Sequence, residues 1–245
     1  MKITNVCLRE LTGTMEFPGE FWEERLIRPI DVSPEHKAEG PTWLPKVSEG
    51  RYRMVNIFVE IDTDAGVSGL GGPIPQEQAY IIDRQFRGIL VGEDPLAIER
   101  IWDKLYRFSV HGRKGPTMMA ISAVDCALWD LKGKWANAPV CRLLGGPVRE
   151  QIPAYASALG YSLEPDLVAA RAKEIVAQGY RATKWFFRHG PTDGREGIAR
   201  NVQLVQTLRE AVGPDVDILL DAWMSWDVPY TIAMAHRLAE YQPRW

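Results

Sequence analysis

The chain has 245 residues, 46% hydrophobic and 25% charged, with a formal net charge of −3. That length holds one large domain or two ordinary ones, and the slight acidity favours neither nucleic acid nor an anionic membrane as a partner. No apolar run approaches the roughly 20 residues that span a bilayer, and Cys7, Cys126 and Cys141 have the odd count and irregular spacing of reduced thiols in a cytoplasmic protein.

Met1 to Leu11 alternates like a first strand and lacks the apolar core of a signal peptide. Residues 15–50 are rich in Pro, Gly and charge, with Trp22 and Trp43 interspersed, and show no clean periodicity. They read as a long loop, of the kind that often serves as a lid or a binding loop. Tyr52 to Ile61 and Val67 to Leu70 are apolar-rich runs joined by Asp62-Thr63-Asp64-Ala65-Gly66, a hairpin pattern. Gln76 to Ile89 and Pro95 to Tyr106 read as helices. In the next helix Ile121, Val124, Leu128 and Leu131 recur at i, i+3, i+7 and i+10, and Gly133 and Pro139 punctuate its end.

From Ile152 the pattern changes. Ile152 to Leu159, Ala182 to Phe187 and Asp217 to Ala222 read as strands. Helices between and after them turn inward Val168, Ala172, Ile175 and Val176, then Ile198, Val202, Val205 and Val212, then Met234, Leu238 and Tyr241. Such alternation implies parallel strands with crossover helices. On pattern alone, a doubly wound sheet and a (β/α) barrel both remain open.

The segment from Ala120 to Gly145 combines Ala120, Ser122, Ala123, Val124, Asp125, Ala127, Asp130, Gly133, Lys134, Pro139, Val140, Leu143, Leu144 and Gly145. In these spacings it resembles the first signature of the mandelate racemase and muconate lactonizing enzymes, a family of the enolase superfamily. The resemblance implies an α+β capping domain over residues 1–150, followed over 151–245 by part of a (β/α) TIM-type barrel with about three β/α units. A complete barrel takes about 250 residues, and the family's next metal-binding Glu motif would begin immediately after Trp245. The chain is therefore expected to be an N-terminal fragment, catalytically incomplete alone.

The superfamily's shared step is removal of the proton α to a carboxylate, with Mg²⁺ stabilising the resulting enediolate. The resemblance makes Asp221, at the end of the Ile218-Leu219-Leu220 run, the first metal ligand; without it, an N-cap or strand-end charge explains this Asp as well. Lys184 ends the second strand. Relatives often carry Lys-x-Lys there, but Phe186 stands in the second position and cannot take a proton, which disfavours a two-base racemase. What remains resembles the acid-sugar dehydratases of the rhamnonate dehydratase-like group, with Lys184 contacting the substrate carboxylate or enediolate. Its alternative is a stem covering the strand end beneath a solvated ammonium.

His111 to Gly115 and Asp221 to Asp227 also resemble that group, whereas the family's second signature is matched imperfectly, with Trp223 where Asn or His is usual and Thr231 where a small residue or Leu is usual. Arg51 and Arg53, His189 and Trp223 are candidate substrate-binding residues, the arginines because their fork suits a carboxylate. His36 is a weaker candidate in the loop. Asp125 and Asp130 are expected to make structural hydrogen bonds. Ser68 to Pro73 lacks the Lys-Ser/Thr of a P-loop, and Asp62 to Gly66 lacks the later ligands of a calcium loop.

The expected function is a Mg²⁺-dependent lyase acting on a small acid-sugar substrate, an aldonate or aldarate, with no nucleic-acid or membrane partner. The full-length form is expected to be a homo-oligomer. The alternatives are an epimerase, racemase or cycloisomerase on the same scaffold, or a non-catalytic truncated product.

Overall fold

The computed structural model describes residues 1–37, 39 and 44–245. Trp43, one of the two tryptophans of the expected loop, lies outside the described residues. The chain groups into two compact units, one of residues 1–15 and 51–150, the other of residues 16–50 and 151–245.

The N-terminal alternation folds as strand β1 (Ile3–Glu16), which buries Ile3 and Val6. The segment that reads as one loop contains a short helix α1 (Pro34–Lys37) and a short strand β2 (Lys46–Ser48). Strands β3 (Arg51–Thr63) and β4 (Ser68–Ile74) form the expected antiparallel hairpin, with Ile61 opposite Gly69 and Asp62 opposite Ser68. Strand β3 pairs with β1 as well as β4.

The helix expected over residues 76–89 is broken in the middle. Helix α2 (Gln76–Ile81) passes through a π-helical segment, Ile82–Phe86, into α3 (Arg87–Leu90). Helix α4 (Ile98–Phe108) follows, then the long α5 (Pro116–Trp135) and the short α6 (Val140–Leu143). The periodic Ile121, Val124, Leu128 and Leu131 are all buried, in one core with Ile61, Phe86 and Leu105.

Gly69 and Gly71 let α5 lie directly on β4. A Cβ at either would overlap the carbonyl oxygen of Ala127 or Ala123, respectively. The glycines of this motif thus serve helix–sheet packing. Asp130 fixes the same contact by accepting from the Leu70 amide (2.8 Å) and Lys134 Nζ (2.6 Å). Asp125 does something else. It lines a surface cleft with Glu99, Trp102 and Trp129, where burial, then the Glu99 charge, raises its carboxyl above the usual value.

In the second unit, strands β5 (Ala156–Ser157), β6 (Ala182–Phe186) and β7 (Asp217–Asp221) form a parallel sheet in the order β5-β6-β7. Helices α7 (Pro165–Ala177), α8 (Gly194–Val212) and α9 (Val228–Leu238) follow the strands in turn. These are three consecutive β/α units, the beginning of a barrel rather than a closed one. Strand β5 is much shorter than the Ile152 to Leu159 reading, because Pro153 offers no N–H to a ladder and Gly160 turns the chain with φ +88°. Arg244 and Trp245 lie along β7: the Arg244 amide donates to the Ile218 carbonyl (2.7 Å), and the Leu220 amide donates to the Trp245 carbonyl (2.8 Å).

Parallel register assigns the two faces of this sheet. Thr183, Trp185, Ile218 and Leu220 share one face, and Trp185 and Ile218 are packed with Val168 and Ala172 of α7 and Leu204 and Val205 of α8. Ser157, Lys184, Phe186, Leu219 and Asp221 share the other. No described helix is long and apolar enough to cross a membrane.

Candidate active site

On the face opposite the helices, Lys184 from the middle of β6 and Asp221 from the C-terminal end of β7 come together. Lys184 Nζ lies 3.4 Å from Asp221 Oδ2, with side-chain exposures of 13% and 24%. The other carboxylate oxygen, Oδ1, accepts the Trp223 amide at 2.9 Å. Lys184 Nζ also lies 5.6 Å from the ring centroid of Tyr155, which adds a cation–π attraction. Tyr155, immediately before β5, is a site neighbour that carries no motif.

The turn after β7 holds Trp223 at φ +47° and Met224 at φ +59°. Trp223 is exposed at its tip. Trp226 then swings back: its ring stacks on Phe187 at 4.3 Å between centroids, and its Nε1 donates to the His189 carbonyl at 2.9 Å. Asn201 of α8, buried, donates to the same carbonyl at 3.0 Å. Asp227 caps α9 by accepting the Tyr230 amide at 2.8 Å.

His189 is on the helix side of these strand ends. Its ring lines a polar cavity of about 290 Å³ with Glu24, Arg188, Glu196 and Arg200. Burial, against the pull of Asp193, holds its imidazole below the usual value. Arg51 and Arg53 are exposed at the start of β3, in the other unit. His36 Nδ1 donates to Glu39 Oε1 at 2.6 Å, inside a charge network.

That network anchors the segment before residue 40. Arg25 and Asp31 are each 2% exposed and 2.7 Å apart. Arg25 also donates to the carbonyls of His36 (2.8 Å), Lys37 (2.9 Å) and Glu39 (2.6 Å). Burial pushes the Asp31 carboxyl up, but hydrogen bonds from Arg25 and the Arg28 amide outweigh it and hold the group below its usual value. Arg188, in the loop after β6, donates to Glu24 (3.2 Å) and the Lys37 carbonyl (2.7 Å), and Lys37 pairs with Asp193 at 2.8 Å. A buried pair of this kind has no sequence period to announce it.

A hard divalent cation wants oxygen ligands. Among the described residues, no group of three or more His, Cys, Asp or Glu side chains could hold a metal ion. The donor set fits one corner of a magnesium site: Asp221 offers a carboxylate at a strand end, and magnesium commonly takes one or two protein carboxylates and fills its octahedron with water and substrate.

The description "Mandelate racemase / muconate lactonizing enzyme, N-terminal domain" belongs to a family model that matches residues 32–145, and "Enolase C-terminal domain-like" to one that matches residues 167–245. L-rhamnonate dehydratase of Saccharopolyspora erythraea is 35% identical over 252 residues, covering all of this chain and 60% of that protein. The chain thus spans about three fifths of that relative's length. The crystal structure of L-rhamnonate dehydratase from Gibberella zeae aligns with a TM-score of 0.75 at 30% identity, over 100% of this chain and 57% of the other. A racemase from Streptomyces coelicolor, solved with bound magnesium, aligns with a TM-score of 0.70 at 34% identity, over 78% of this chain and 57% of the other.

Proposed function

The chain belongs to the mandelate racemase/muconate lactonizing enzyme family of the enolase superfamily, and from that membership we propose that the protein is a magnesium-dependent hydro-lyase of acid sugars. The observation that carries the reading is the Lys184–Asp221 pair, a cation and a carboxylate side by side on one sheet face, with the carboxylate at the C-terminal end of β7. Asp221 would be one ligand of the metal. Lys184, 3.4 Å away, would direct its ammonium to the substrate carboxylate. A bound magnesium ion would supply positive charge where the carboxylate gains electron density as its α-proton leaves. In this reaction the C–H bond α to the carboxylate and the β C–O bond both break, and the hydroxyl leaves as water to give a 2-keto-3-deoxy acid.

The substrate is an aldonate or aldarate; the rhamnonate dehydratase relatives make L-rhamnonate the first to try. Arg51, Arg53, His189 and Trp223 are carried forward as substrate-side candidates, and the cap–barrel division at residue 150 belongs to the same proposal. So do a homo-oligomeric state and a cytoplasmic location, the latter supported by free thiols at Cys7, Cys126 and Cys141. The deciding experiment incubates the protein with L-rhamnonate and a panel of aldonates and aldarates and measures 2-keto-3-deoxy acid. Product that forms with Mg²⁺, stops with chelator and is absent from Asp221→Ala supports the reading; product that persists in chelator ends it.

A racemase, epimerase or cycloisomerase is the second reading, and the magnesium-bound racemase among the solved relatives favours it. Phe186, on the same face as Lys184 two residues on, removes the second strand-borne base that a two-base racemase would use. Wash-in of deuterium at the α-carbon without keto-acid product would select this reading.

A further inference from the structure

The turn that follows Asp221 places two consecutive non-glycine residues, Trp223 and Met224, in the left-handed region. L-residues seldom adopt that conformation, and it persists where the surroundings over-determine it. At its near end, the Phe187 amide donates to the Asp221 carbonyl (3.0 Å), and the Ser225 amide closes onto the Ala222 carbonyl (2.9 Å). At its far end, the anchor is Trp226. The indole stacks on Phe187, meets Tyr230 edge-on at 5.0 Å, and donates to the His189 carbonyl that Asn201 also holds. Asn201 in turn donates to the Tyr230 hydroxyl at 3.3 Å. One carbonyl oxygen therefore ties together the loop after β6, helix α8 and the turn after β7.

We infer that Trp226 is a positioning residue for Asp221, acting through its indole N–H to the His189 carbonyl. The chain of contacts is short. The Trp223 amide orients the Asp221 carboxylate by bonding Oδ1, and that amide points there because its peptide plane is held at the opposite end, where the Ala222 carbonyl accepts the Ser225 amide next to Trp226. Once the far end of the turn is released, the bond from the Ser225 amide to the Ala222 carbonyl loosens, the Ala222–Trp223 peptide plane turns and the Trp223 amide leaves Oδ1. The carboxylate then loses the fixed orientation in which it would meet a cation. The link from Trp226 to cation binding rests on the reading of Asp221 as a metal ligand; the link from Trp226 to the Trp223 amide does not.

The test is residue-resolved amide hydrogen exchange on the 245-residue chain, comparing Trp223 with Leu220 in wild type, Trp226→Phe and Val205→Ala. Trp226→Phe keeps a ring against Phe187 and removes the N–H. Val205→Ala removes methyl groups from the core behind the sheet and serves as a control for general loosening. The Trp223-to-Leu220 exchange ratio should rise roughly tenfold in Trp226→Phe, the scale of one lost hydrogen bond, and keep its wild-type value in Val205→Ala. An unchanged ratio in Trp226→Phe, or an equal rise in Val205→Ala, overturns the inference. Mn²⁺ titration of Trp226→Phe and Asp221→Asn then separates the two layers. Weaker Mn²⁺ binding in both supports the whole chain of effects, and loss in Asp221→Asn with wild-type affinity in Trp226→Phe overturns the positioning role. Wild-type affinity in Asp221→Asn removes the ligand reading alone, and the exchange ratio still decides the role of Trp226 at the turn.

Discussion

Lys184 Nζ and Asp221 Oδ2 lie 3.4 Å apart across adjacent parallel strands, with Tyr155 beside the ammonium and the Trp223 amide on the other carboxylate oxygen. Residues 37 apart in sequence meet because Phe186 is in register with Asp221, and Lys184 precedes Phe186 by one full strand period on the same face. The pair is partly exposed, so its own contribution to stability is small, on the order of 1 kcal/mol or less. Its significance is chemical: a fixed positive charge next to a carboxylate able to take a divalent cation.

Lys184→Met should therefore leave the fold nearly as stable while changing the carboxylate's affinity for cations. Without the ammonium competing for Oδ2, Mn²⁺ should bind Asp221 a few-fold more tightly, since a neighbouring like charge opposes cation binding by Coulomb repulsion. Turnover of an acid sugar by the whole enzyme should drop by about 100-fold or more, the scale of losing a charge that stabilises the transition state. Tighter metal with intact turnover would strip Lys184 of any part in the chemistry.

The Arg25–Asp31 pair sets up a stability prediction. Both side chains are almost fully buried, and Arg25 also donates to four backbone carbonyls, those of Leu26, His36, Lys37 and Glu39. Arg25→Met leaves Asp31 buried with its main counter-charge gone and should cost about 3–5 kcal/mol by urea denaturation. Arg25→Met with Asp31→Leu removes both charges and should recover a large share. A single mutant as stable as wild type would mean that water reaches the pair freely.

Much of this architecture was legible from spacing alone. The α5 core face reads directly from Ile121, Val124, Leu128 and Leu131, and β6 and β7 lie within a residue of their apolar runs. Helix α8 was less legible. Its buried face includes Asn201, Leu204 and Leu208, with Val205 the only expected member that is fully buried. An apolar pattern cannot announce Asn201, because that side chain is buried through hydrogen bonds to the His189 carbonyl and the Tyr230 hydroxyl. The Arg25 network was invisible for the same reason: long-range ion pairs have no period. Asp221 stood out as a strand-end carboxylate, whereas Trp226 and Tyr155 act through geometry that only the assembled loops and strands reveal.

Gly69→Ala and Gly71→Ala test the packing of α5 on β4. Each added methyl would overlap a helix carbonyl oxygen, a backbone atom that cannot swing aside. Forcing the layers apart should cost about 1–3 kcal/mol each, seen as a drop of several degrees in the thermal midpoint of a chain this size. Gly88→Ala, where a Cβ meets nothing within 4 Å, should be neutral or slightly stabilising and is the control.

Acid should destabilise the second unit in two stages. His189 has a folded value held below the usual one by burial, so the unfolded chain binds the proton more readily. Its contribution is complete above about pH 6.5, the unfolded histidine value, and is lost as pH falls from there through the depressed folded value. Asp31 and Asp193 are also depressed in the folded state. Burial works against this in both. In Asp31 hydrogen bonds from Arg25 and the Arg28 amide prevail, and in Asp193 those from Lys37 and the Gly190 amide. Their contribution is present above about pH 4 and lost as pH falls below it. Thermal midpoints measured from pH 8 to pH 3 should then decline gently below pH 6.5 and more steeply below pH 4. His189→Gln should flatten only the first limb and Asp31→Asn should reduce the second. A first limb that survives in His189→Gln would assign it to another group and leave the imidazole without a pH-dependent role.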